Sequence, residues 1–101
     1  MKVSENEFIT LKRPPTELEL EAICDSAEDA ARKIIFNKID LKQITDLDIT
    51  IETHGDKPLT LIVDISLSTR NSDEEITKLI DIACDEALKE VDIKAKELKI
   101  A

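Results

Sequence analysis

Three kinds of side chain in this sequence could carry chemistry: two cysteines, one histidine and a run of aspartates. Cys24 and Cys84 stand in the same short phrase, "CDSA" and "CDEA". A thiol acts as nucleophile, redox partner or metal ligand through its thiolate, which a basic neighbour or a metal must stabilise. Each cysteine is instead followed by an aspartate, whose charge raises a thiol pKa, and neither has a basic residue beside it. Zinc takes about four ligands, and two helical cysteines with one histidine make no recognisable spacing for it. His54 precedes "GDKP", has no nucleophile beside it, and reads as a turn residue. A lone Gly leaves neither a phosphate cradle nor a nucleophile elbow. The expectation is a protein that is not an enzyme and carries no cofactor.

Composition narrows the partners. The chain has 101 residues, 42% of them apolar, enough for one core and too few for two. The net charge is −9, which repels phosphate backbones and anionic lipid, and two Phe with no Tyr or Trp leave little for bases to stack on. Nucleic acid and membrane are therefore not expected as partners. No stretch approaches the roughly 18 apolar residues of a membrane span, and two cysteines are too few for a secreted disulfide framework. A cytoplasmic, soluble protein is expected. The excess of Lys over Arg, with abundant Ile and Glu, leans towards a heat-adapted source.

The elements that position these residues follow from periodicity. After Pro14-Pro15, Thr16 and Glu19 form a T-x-x-E capping box, and Leu20, Ile23, Ala27, Ala30, Ala31 and Ile34 make one helical stripe reaching about Asn37. From Leu47 the period becomes two, with Leu47, Ile49, Ile51 and Thr53 on one side and Asp48, Thr50, Glu52 and His54 on the other. The alternation resumes at "LTLIVDISLST", where Leu59, Leu61, Val63, Ile65 and Leu67 face inward and Thr60, Ile62, Asp64, Ser66 and Ser68 outward. A two-residue turn would pair odd with even positions. A three-residue loop, Gly55 to Lys57, keeps the faces matched and pairs Ile51 with Leu61, Ile49 with Val63 and Leu47 with Ile65. Ser72 and Glu75 predict a second capping box, and Ile76, Leu79, Ile80, Ala83, Ala87, Val91, Ala95 and Leu98 a second helix of about seven turns.

A bare hairpin is marginal in water, so both helices should cover its one apolar face. The predicted fold is a two-layer α+β domain, α-β-β-α, over residues 14–101. Residues 1–13 read as an N-terminal arm with Phe8 and Leu11 tucked down, or as an extra edge strand, with the arm preferred. Helix axes about 8 to 10 Å apart rarely bring Cα atoms within the roughly 4.4 to 6.8 Å of a disulfide, so Cys24 and Cys84 read as core residues of two helices lying side by side.

With that order in hand, "AEDAARKIIFNKID", "ITDLDITIE" and "LTLIVDISL", followed by a capped helix, resemble a small archaeal family, a domain of unknown function, over residues 17 to 98. The resemblance implies two helices on one side of a central hairpin and no catalytic residues. Its members are often encoded near the prefoldin beta subunit and components of translation and transfer-RNA modification, which implies a place in protein synthesis or quality control.

The open sheet face is the candidate site: Asp48, Thr50, Glu52, Thr60, Ile62 and Asp64. The three-residue register sets Asp48 directly against Asp64, an unfavourable like-charge pair that a partner's Lys or Arg, a divalent cation or solvent screening would offset. The first reading is an adaptor offering this acidic face and the hairpin edge to a protein partner. The alternative is a small-ligand or cation-binding regulator. Both strands of a two-stranded sheet are edges, so a homodimer through strand edges is a further expectation.

Overall fold

A computed structural model describes residues 2–55, 58–70 and 74–101. The elements are β1 (Lys2–Ile9), α1 (Glu17–Lys38), β2 (Ile44–His54), β3 (Leu59–Thr69) and α2 (Glu74–Glu97), with one 3-10 turn at Leu41–Gln43. The fold is α+β: an antiparallel sheet under two helices, all within 45 × 18 × 17 Å. The 24 residues of α2 and the 11 of β3 both extend about 36 Å, so one layer covers the other end to end. No helix among the described residues is long and apolar enough to cross a membrane.

Of the two forms open to residues 1–13, the chain adopts the strand. β1 pairs antiparallel with β3, so the sheet order is β1-β3-β2 and β3 lies in the centre. Its inward side chains, Leu59, Leu61, Val63, Ile65 and Leu67, are all but sealed, and with Ile23, Ile35, Ile80 and Val91 they form the middle of the core. α1 lies over β2, and α2 lies over β3 and β1. Alanines at the helix–helix seam, Ala27 and Ala31 on α1 and Ala83 and Ala87 on α2, are fully buried, and small side chains allow the axes to approach closely. No polar side chain is buried among the described residues.

Local chemistry sets the ends of the elements. Thr16 has extended backbone, φ −79 and ψ 167, and its hydroxyl accepts the Glu19 N–H at 3.2 Å while the Glu19 carboxylate accepts the Thr16 N–H at 2.9 Å. Arg13 donates to both oxygens of that carboxylate at 2.7 Å. Helix α2 closes in a Schellman arrangement. Lys99 takes φ 61, the Lys99 N–H bonds the Lys96 carbonyl, and the Ile100 N–H bonds the Ala95 carbonyl, both at 3.1 Å. Ile100 is thereby buried, and its carbonyl accepts the Lys12 N–H at 2.7 Å, which pins the chain just beyond β1. The Ser72 side of the expected second capping box lies outside the described residues.

The hairpin register differs from expectation by two residues. Ile51 pairs with Val63, Ile49 with Ile65, Leu47 with Leu67 and His54 with Thr60. Pro58 is the reason. A three-residue loop would place it opposite His54 in the ladder, but it has no N–H to donate, so it falls in the connection and the strands begin pairing further out. The shift is even, so the faces stay matched. Gly55 begins the connection at φ 77, where a β-carbon would stand 3.0 Å from the Pro58 carbonyl oxygen. At the other end of β2 the register slips by one between Ile44 and Asp46, a bulge that takes up Thr45.

Candidate binding face

No helix among the described residues covers the even-numbered side of the sheet, and there the ladder sets side chains in rows across three strands. Lys2, Ser66 and Asp48 form one row; Ser4, Asp64 and Thr50 the next; then Asn6, Ile62 and Glu52; then Phe8, Thr60 and His54. All six expected residues share this face. Thr60, Ile62 and Asp64 lie on the central strand, and Asp48, Thr50 and Glu52 on an edge. Asp46, opposite Ser68, adds a fourth carboxylate to the same side.

The facing Asp48–Asp64 pair does not form. The two-residue shift puts Asp48 against Ser66 and Asp64 between Thr50 and Ser4, so the two carboxylates are diagonal neighbours with hydroxyls around them. Diagonal positions are about 7 to 8 Å apart, which relieves the repulsion without a counter-ion. The cation site built on that pair loses its geometry, and no cluster of three or more metal-ligating side chains occurs among the described residues.

A third strand also changes what stands on the face. Lys2, Ser4, Asn6 and Phe8 belong to it. Phe8 is not tucked down: it is 68% exposed at the end of the sheet, whereas Leu11 is buried. Phe8 thus joins Ile62 as an apolar side chain on that face. The signal for β1 was weak because Glu5 and Glu7 occupy helix-facing positions, interrupting the alternation set by Val3 and Ile9.

The charges are sparsely compensated. Glu52 lies 3.6 Å from His54, both exposed. Asp46, Asp48 and Asp64 make no ion pair among the described residues. On the helix side, burial together with the Asp85 and Asp81 carboxylates raises the pKa of Glu5.

The cysteines are free thiols in core surroundings. Cys84 is fully buried, and burial, aided by Glu5, Asp81, Asp85 and Asp64, pushes its thiol up to about 12. Cys24 is half-buried and shifted upward by burial, then by Asp25 and Glu28. Both shifts suppress the thiolate.

Shallow concavities of about 400 Å³ occur elsewhere on the surface. One lies between the end of α1 and the start of α2, lined by Ile39, Ile76, Leu79 and Ile82.

Residues 13–94 match the family described as "Protein of unknown function (DUF3194)". The chain belongs to that family. A crystal structure from Thermococcus onnurineus NA1 superimposes with a TM-score of 0.76 at 21% identity, covering 97% of this chain and 95% of the other. At that identity the likeness concerns the fold alone. It reaches beyond the family match, which begins after β1. A comparison with curated proteins returned no match.

Proposed function

We propose that the protein is a non-enzymatic binding module whose open sheet face receives a basic, extended stretch of a protein partner. The observation that carries this reading is the set of carboxylates Asp46, Asp48, Glu52 and Asp64 on one uncovered face, three of them without an ion pair among the described residues. Lys and Arg side chains laid across the rows would neutralise this charge, and the interleaved hydroxyls of Thr50, Thr60 and Ser66 would accept or donate further hydrogen bonds. The unreactive thiols and the lone exposed His54 support binding over catalysis. The gene neighbourhood implied by the family resemblance supports a setting in protein synthesis or quality control.

The test is affinity capture with the wild-type chain beside Asp48→Lys/Asp64→Lys, followed by rebinding of each captured protein in purified form. Loss of a basic partner from the variant alone supports the reading. Identical partners with equal affinity for both chains would remove the acidic face from consideration.

A further inference from the structure

The sheet has two edges, and they differ in the chemistry that an added strand would meet. A strand docking beside β1 would bring its helix-facing side chains against Glu5 and Glu7. Glu5 is half-buried beneath α2, and Glu7 lines a groove with Asp85, Lys89 and Asp92. Inward-pointing charge is a common way for a sheet to refuse further strands. Beside β2 the helix-facing row is Leu47, Ile49 and Ile51, which pack on the core yet stay only half-buried because no strand among the described residues lies on their outer side. From Asp46 to His54 the ladder is regular, the bulge being confined to the far end. This edge offers free backbone groups, an unfinished apolar row on one side, and Asp46, Asp48 and Glu52 on the other.

Resting on the binding-module reading above, we propose that the β2 edge takes the partner as an added strand in which basic and apolar residues alternate. Apolar side chains would complete the row of Leu47, Ile49 and Ile51, and Lys or Arg at alternate positions would reach Asp48 and Glu52 on the open face. Charge selects against a second copy of this chain. In the antiparallel self-pairing of greatest overlap across the regular stretch Asp46–His54, centred on Thr50, Asp48 meets Glu52 of the copy, and each chain carries a net charge of −9.

The proposal is tested on the intact protein with three short peptides: alternating Lys/Val, a block isomer of the same composition, and alternating Glu/Val. Affinity is read by calorimetry and the site by amide exchange. The expected result is that the alternating Lys/Val peptide binds at least about tenfold more tightly than its block isomer and protects amides of β2 but not of β1. Asp48→Lys/Glu52→Lys, at exposed positions, should weaken that peptide by about tenfold or more and favour the Glu/Val peptide instead. Equal binding of the two Lys/Val isomers, with shifts spread over the open face, overturns strand addition and leaves the acidic-face reading standing. Absence of binding by either basic peptide up to about 1 mM sinks both. A dimer with β2 amides protected in the absence of peptide assigns the edge to a second copy and overturns the proposed partner.

Discussion

β1 and β2 flank the same central strand in the same antiparallel sense, yet one edge is closed by its side chains and the other is left unfinished. β1 sets Glu5 and Glu7 on the side where β2 sets aliphatic residues. Two neighbours of one strand thus meet different solvent and different helices. An edge is defined less by its backbone, which is equivalent in both, than by the row of side chains that a newcomer would have to match.

Removing what the two edges share should have the largest effect. Ile65 stands between Val3 and Ile49 and is fully buried, so Ile65→Ala should cost about 2 to 5 kcal/mol in denaturant unfolding and loosen both edges together. Loss of exchange protection on one side only would show that the edges are held independently.

Next comes the charge that distinguishes β1. The folded-state pKa of Glu5 is raised, so its favourable protonated form is fully present below the unfolded carboxyl value, and that contribution is lost as pH rises through the folded pKa. Glu5→Gln should therefore gain stability at pH 7 relative to pH 4, by at most about 1 kcal/mol after solvent screening. Glu5→Leu should go further and make β1 sticky, detectable as self-association in sedimentation. Glu19 has the opposite sign. Arg13, then the Thr16 N–H, hold its carboxyl at about 2, so its contribution is complete above the unfolded value and fades as pH falls towards 2. Unfolding curves at pH 2, 4 and 7 on Glu5→Gln and Glu19→Gln separate the two.

A smaller gain is expected at the clasp beyond β1. Lys99 occupies the left-handed region that glycine adopts without steric cost, so Lys99→Gly should stabilise by about 0.5 to 1 kcal/mol and slow exchange of the Lys12 amide. The smallest effect concerns the open face. With Asp48 and Asp64 diagonal, Ca²⁺, Mg²⁺ or Mn²⁺ should leave the melting temperature unmoved, whereas an ion present at 100 times its Kd would add about 2.7 kcal/mol.

Local signals were legible in the sequence. Thr16 and Glu19 announced the start of α1 because a capping box closes within four residues, and strand parity placed all six candidate residues on one face. What escaped depended on distant partners. The register shifted because Pro58 withdrew from the ladder, and β1 was obscured because its pairing is with residues 59–66 and its alternation is broken by Glu5 and Glu7. The buried stripes also lie differently from expectation. Ile35 on α1 and Leu88 on α2 are buried outside the expected stripes, whereas Leu20, Ala30, Ile34, Leu79 and Leu98 within them are only half-buried, since each helix packs against both its twin and the sheet and its apolar arc is centred between the two.

The Lys12–Ile100 bond carries a consequence for how the chain reaches this shape. β1 precedes in the chain both the strand it joins and the carbonyl that fastens it, so its pairing is completed only after those later residues have left the ribosome. Until then Glu5 and Glu7, the side chains that shut the finished edge, also favour hydration of the unpaired strand over its pairing with other chains.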